Sequence, residues 1–229
     1  MFLDNNIQND LSDRVILITA GPTIEDIDPV RFISNRSTGK MGVAIAIAAV
    51  RRGAEVILIH GPLKVSSFQH PGIRAIPVRS AADMHAAVTA NVSAADTAIM
   101  CAAVCDFTPV HYKTGKIKKE RLSSISMLEL KRTPDILASI AQMKNRPLLI
   151  GFAAESENVA ENARAKLARK GCDMIYANDI SEDGSGFAHD TNRLTLFKSS
   201  GETVEYPAQS KRRAAEMIMD EIASVKQLD

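Results

Sequence analysis

Short apolar runs and helix-period segments alternate along most of this chain. The run Arg14–Gly21, RVILITAG, is apolar at nearly every position, which marks a strand covered on both faces. Gly42–Gly53 is rich in Ala and Ile and predicts a helix closing at a glycine cap. EVILIHGP predicts a second strand and RAIPV a short third, Ser80 is placed to cap a helix running to Ala90, and TAIMCAAV predicts a fourth strand. This order predicts an α/β fold, a mostly parallel sheet with helices on both faces.

The pattern breaks between Asp106 and Ser126, a polar stretch with four lysines and no clear period. Connections of that length usually serve function. Alternation resumes with MLELKR, a helix from Pro134, the strand PLLIGFAAE, a helix over Asn158–Lys170 and the strand MIYANDI. RLTLFKSSGETVEYP predicts a hairpin turning at SSGE, and a last helix starts near Ser210. No repeat, low-complexity tract or linker divides the chain, so a single domain over residues 1–229 is expected, with its ordered core from about Asp13 to Val225.

Composition narrows the function. A hydrophobic content of 45% over 229 residues provides for a full core. A net charge of +1, scarce aromatics and no Trp argue against a nucleic-acid partner. No apolar stretch approaches the roughly 20 residues that span a bilayer, and the polar, acidic start MFLDNNIQND is not a secretory signal. Cys101, Cys105 and Cys172 make no disulfide framework. A cytoplasmic protein that touches no membrane is expected.

Candidate chemistry starts at Ser34–Gly42, SNRSTGKMG. A Walker loop would need glycine where Ser34 stands and Ser or Thr where Met41 stands. The dinucleotide fingerprint G-x-G-x-x-G is missing after the first strand. Ser37, Thr38 and Gly39 nevertheless lie where a helix begins, and backbone N–H groups there favour an anion. The local sequence reads equally as an ordinary capped helix start. The preceding segment is long for a strand-to-helix connection, and Pro22 and Pro29 stiffen it.

Other groups are ambiguous in isolation. Lys113 and the run KIKK, Lys116–Lys119, fit a solvated charge run better than a phosphate clamp. Tyr112 and Lys116 have the Y-x-x-x-K spacing of short-chain reductases, but Gly115 and the loop composition deny them the helix that motif needs. Lys166 and Lys170 share a helix face at the rim of its apolar stripe, and in isolation solvated lysines near a helix C-terminus, favoured by the dipole, explain them better than a binding role. Asp106 and Asp179 follow strands, where carboxylates suit metal or ribose contacts as well as turn caps. Phe152 suits a base or the core. None of the five histidines has ligand spacing.

Taken in order, ITAGPT…DPVRFISNRSTGKMG, AAVCDF, KIKK, GFAAE, YANDI and GFAHDTNRLTLF resemble phosphopantothenoylcysteine synthetase over roughly residues 13 to 223. The resemblance implies a Rossmann-like fold. It also implies a CTP-dependent ligase of coenzyme A biosynthesis. The carboxylate of 4′-phosphopantothenate attacks CTP, pyrophosphate leaves, and the amine of cysteine displaces CMP from the acyl-cytidylate. Mg²⁺, a homodimer and a flavin-dependent decarboxylase as partner domain or protein are implied as well, with no flavin bound by this chain. The metal ligands are left unassigned.

By the same resemblance, Asn35 holds the acyl-cytidylate during the cysteine step and Lys116 is the catalytic lysine of a closing loop. Ser37, Thr38 and Gly39 take the phosphates through their backbone, with Lys40 beside them. Lys166 and Lys170 form a triphosphate-binding pair. Ala102, Ala103, Asp106, Phe152, Asn178 and Asp179 fall on nucleotide-side segments. Cys105 stands where this family usually has Ala, and a thiol there is expected to narrow the nucleotide pocket or expose a reactive group.

Overall fold

The computed structural model describes residues 9–65, 68–118, 127–179 and 189–225. In chain order, β1 (Val15–Ala20) is followed by a small hairpin of β2 (Ile24–Asp26) and β3 (Phe32–Ser34), then α1 (Lys40–Arg51), β4 (Glu55–His60), β5 (Ile73–Pro77) and α2 (Ala81–Asn91). Next come β6 (Thr97–Met100), β7 (Phe107–Pro109), β8 (Leu130–Arg132), α3 (Ile136–Ala141), β9 (Leu148–Glu155) and α4 (Val159–Lys170). The chain continues through β10 (Met174–Asp179), β11 (Thr191–Lys198), β12 (Thr203–Ser210) and α5 (Lys211–Ser224).

Among the described residues, eight strands form one sheet in the order β12-β11-β10-β9-β6-β1-β4-β5. The strands from β5 through to β10 pair parallel, and β11 and β12 add antiparallel at one edge. Counting only the parallel strands, the order is the 3-2-1-4-5-6 of a Rossmann fold. The apolar run of β1 is shared between two cores. Ile16, Ile18 and Ala20 face α1 and α5, while Leu17 faces α2 and the cluster around α3 and α4. Period-2 alternation is thus hidden inside a run that looks uniformly apolar, because both faces are covered. Full burial of each such Ile or Leu contributes about 1.5–3 kcal/mol.

Helix starts follow their caps. Ser80 Oγ accepts from Asp83 N, and Ser80 N donates to Asp83 Oδ2, a reciprocal pair that fixes the start of α2. Ser210 caps α5 by accepting from Arg213 N. Two expectations need correction. The segment after β1 is not a plain loop: it folds into the β2–β3 hairpin, whose tip is tied by Asp28 Oδ1 accepting from Val30 N and Arg31 N at 2.8 and 2.7 Å. Leu130–Arg132, inside MLELKR, does not join the main sheet. It pairs antiparallel with β7 in a separate two-stranded sheet, and its residues are exposed, with no layer to cover them. No helix among the described residues is long and apolar enough to cross a membrane.

Candidate active site

The chain leaves β1 for α1 on one face, while the next long helices after β6 pack on the other. β1 and β6 are neighbours, so a crevice opens between their carboxyl ends, the place where open α/β sheets hold ligands. A cavity of about 250 Å³ lies there. Its walls come from the α1 start (Ser37–Gly42), the β6 exit (Cys101–Val104 and Asp106), the end of β9 (Phe152–Ala154), Lys166 on α4, Asn178 on β10, Asn192 on β11 and Lys211 on α5.

Gly39 shapes the first wall. Its backbone is left-handed, φ 78°, and an added Cβ would lie 2.2 Å from Leu63 Cδ2, so only glycine makes this turn without strain. The turn directs the chain into α1 at Lys40, earlier than the run of small apolar residues suggested. Ser37 Oγ accepts from Gly39 N at 3.3 Å, and Gly39 O accepts from Val43 N at 3.0 Å. The first turn of α1, Lys40–Gly42, lines the cavity, and the N–H groups of a helix start suit an anion.

The second wall is stitched to the first. Ala102 N donates to Thr19 Oγ1 at 3.1 Å, and Ala103 N donates to Gly21 O at 2.9 Å. Ala103 O accepts from Thr23 N and, at 2.9 Å, from Asn35 Nδ2. Asn35 therefore stands at the lip of the cleft, joined to it through Ala103. Pro22 bridges to Ala103 and presses on Gly61, where an added Cβ would sit 1.7 Å from Pro22 O.

Cys105 does not act on the pocket as expected. It is 4% exposed and turned away from the cavity, its Sγ 3.6 Å from Thr23 O and 3.9 Å from Ile33 O. Burial pushes this thiol up, so it is neither a constriction nor a reactive group. Cys101 is the thiol that lines the cavity. Burial pushes it up to about 12, partly offset by Lys211.

The predicted lysine pair is divided. Lys166 lines the cavity and donates to Phe152 O at 2.8 Å. Burial lowers its pKa, Glu155 opposes that, and Lys170 adds to it; an arriving phosphate would favour the charged form. Lys170 is outside the cavity wall, ion-paired with Asp135, the residue that caps α3. Asp179 ends β10 opposite Glu155 and is also outside the wall. Of the other sequence-predicted residues, Ser37, Thr38, Gly39, Ala102, Ala103, Asp106, Phe152 and Asn178 are brought together around the cavity.

Lys116 is exposed and outside the wall, but its neighbour is anchored. Ile117 N donates to Asp28 Oδ2 at 3.1 Å, and Ile117 O accepts from Arg31 at 2.5 Å. Lys119 falls outside the described residues. Burial alone would raise the pKa of Asp28, yet N–H bonds from Ile117, Val30 and Arg31, with the Arg31 charge, hold it at about 2. An unfolded Asp titrates near ~3.9, so between these values the unfolded state binds more protons. This carboxylate therefore stabilises the fold above about pH 4, and the contribution is lost as pH falls towards about 2. Asp28→Asn should flatten the decline of the urea midpoint as pH falls from about 4 towards 2, relative to the parent. A parallel decline in both proteins would remove Asp28 as a source of acid sensitivity.

Asn192 and Lys211 line the cavity without having been singled out as site residues. Asn192 lay inside the GFAHDTN block. Lys211 had a signal of its own: α5 opens Lys-Arg-Arg with no acidic residue in its first turn, against the helix dipole.

Residues 11–225 match the family described as the DNA/pantothenate metabolism flavoprotein C-terminal domain. The chain belongs to that family. It is 49% identical over 216 residues to the coenzyme A biosynthesis bifunctional protein CoaBC of Bacillus subtilis (strain 168), covering 94% of this chain and 52% of the relative. It is 44% identical over 218 residues to CoaBC of Escherichia coli (strain K12), with 94% and 53% covered. The chain thus spans about half the length of the curated relatives it matches. A crystal structure of the C-terminal domain of CoaBC superimposes with a TM-score of 0.78 at 41% identity, covering 94% of this chain and 96% of that one.

Proposed function

We propose that this chain is a phosphopantothenate–cysteine ligase that uses CTP. The observation that carries the reading is its likeness, over nearly the whole of both chains, to the C-terminal domain of CoaBC. The cleft supports it. The α1 start offers N–H groups and Lys40, and Lys166 faces them. These groups would neutralise a triphosphate enough for a substrate carboxylate to reach the α-phosphorus. Phe152 offers a face for the base, and the Ala102–Ala103 backbone admits close approach. Pyrophosphate leaves, and Asn35 donates to the acyl-cytidylate carbonyl while the amine of cysteine attacks. Lys116 comes from a segment that would close over the anhydride and exclude water.

Mg²⁺ suits this donor set. Among the described residues no group of three His, Cys, Asp or Glu side chains could hold a metal by itself. Asp106 is the one carboxylate in the described wall, and Mg²⁺ at nucleotide sites usually takes one or two carboxylates plus substrate phosphates. When bound it would supply charge neutralisation at the phosphates.

The proposed homodimer has a surface to use. Val30, Phe32, Phe107 and Leu130 are 57%, 52%, 47% and 44% exposed on the two small hairpins, an unusual concentration of apolar side chains for a free surface. Phe32→Lys with Phe107→Lys should convert a dimer to monomer in sedimentation velocity while the fold, by circular dichroism, is kept. An unchanged sedimentation coefficient would remove this face from the interface.

The ligase reading is tested by product analysis. CMP and pyrophosphate should form only with phosphopantothenate present, phosphopantothenoylcysteine only with cysteine added, and CTP should outperform ATP and UTP. Nucleotide turnover indifferent to phosphopantothenate would end it.

A further inference from the structure

Lys211 combines three unfavourable features. It is the first residue of α5, where the helix dipole opposes a cation. It is buried, only 7% exposed. It also shares a wall of the cavity with Lys40, and burial first, then the Lys40 charge, pull its pKa down. Contacts to the neighbouring segment offset part of this. Lys211 Nζ donates to His189 O, Lys211 N donates to Asp190 O at 2.9 Å, and Asp190 pairs with Lys40 at 2.6 Å. An apolar side chain of similar length would fill the same space without the desolvation penalty.

Lys40 begins α1 just as Lys211 begins α5. Two helix starts and two ammonium groups therefore meet at one part of the cavity wall, joined through Asp190. That arrangement suits an anion with several charges. We infer that Lys211 is a phosphate-binding residue of this cleft, acting with Lys40 on a phosphate group of a substrate. The inference deepens the ligase reading and rests on its view of the cleft as a site for phosphorylated substrates. Phosphate oxygens would take over the contacts now made to the His189 carbonyl and the Asp190 carboxylate.

The test uses the full chain with Lys211→Met and Lys211→Arg, calorimetric titration with inorganic pyrophosphate, CTP, CMP and 4′-phosphopantothenate, and melting without ligand. Lys211→Met should weaken pyrophosphate and CTP about tenfold or more, weaken CMP far less, and melt no lower than the parent. Lys211→Arg should recover most of the affinity. If phosphopantothenate is weakened and the nucleotide is not, the assignment stands and the phosphate is the monoester. A folded Lys211→Met protein that binds every probe like the parent overturns it. So does a lowered melting temperature with affinities unchanged, since Lys211 would then be structural only. If pyrophosphate binding depends on Lys211 while the parent makes no phosphopantothenate-dependent CMP, the phosphate assignment stands and the ligase reading falls.

Discussion

Asn35→Ala should separate the two halves of the proposed reaction. With phosphopantothenate and CTP present and cysteine absent, pyrophosphate release should stay within about threefold of the parent, because Asn35 is held to Ala103 O outside the cavity wall formed by the α1 start and Lys166. Product formation after cysteine addition should fall about 10²–10³-fold, the usual loss when one donor to a developing oxyanion is removed. The geometry explains the asymmetry. Asn35 spends one N–H on Ala103 O at 2.9 Å, which fixes the amide plane and leaves a second N–H for a carbonyl at the lip of the cleft. Asn35→Asp should be at least as damaging, since a carboxylate would face the Ala103 carbonyl and could not donate. Rapid-quench measurement of both steps decides it; equal losses in the two would show that Asn35 serves the nucleotide step or the fold.

Gly61→Ala should be the most destabilising small change in the cleft region. A Cβ there would lie 1.7 Å from Pro22 O, so backbone must move. Pro22 cannot yield freely, because it is bridged to Ala103, and Gly61 N is itself held by Ala20 O at 3.0 Å. A cost of about 3 kcal/mol, the upper end for overpacking, is expected. The displacement would pass through Ala103 to Asn35, so cysteine-dependent activity should fall in whatever fraction still folds. Gly115→Ala is the control: nothing lies within 4 Å of its added Cβ, and its effect should stay within about 0.5 kcal/mol. Urea unfolding of the two variants compares them directly. Similar midpoints would mean that the Pro22 segment shifts at little cost.

Much of this architecture was legible because periodicity and capping act locally. RVILITAG, EVILIHGP, PLLIGFAAE and MIYANDI became the strands expected of them, Ser80 and Ser210 cap helices through their side chains, and α4 starts at Asn158 without a side-chain cap. The β2–β3 hairpin escaped because each strand has three residues, too few to display an alternation. Its signal was the Asp28-Pro29 turn instead. Leu130–Arg132 misled for the opposite reason: strand-like residues alone do not reveal whether a layer exists to cover them. At the site, Ser37–Gly39, Ala102, Ala103, Asp106, Phe152 and Asn178 gathered around the cavity, whereas Lys116 and Asp179, named by equally contiguous motifs, lie outside its wall. Lys170 is outside as well, because Asp135, distant in sequence, captures its ammonium. Lys211 was missed because its meaning depends on α1 and α5 beginning side by side, a tertiary fact.

The grip of Asp28 and Arg31 on Ile117 divides the lysine segment at a fixed point, with Lys116 on one side and Lys118 on the other. Ile117 is therefore held against the β2–β3 hairpin without any substrate present. Part of the segment's ordering entropy is surrendered when the protein folds, so less opposes substrate capture. Under the proposed role of Lys116, loosening the hold on Ile117 would show first as slower or weaker substrate capture, with the chemistry that follows capture left intact.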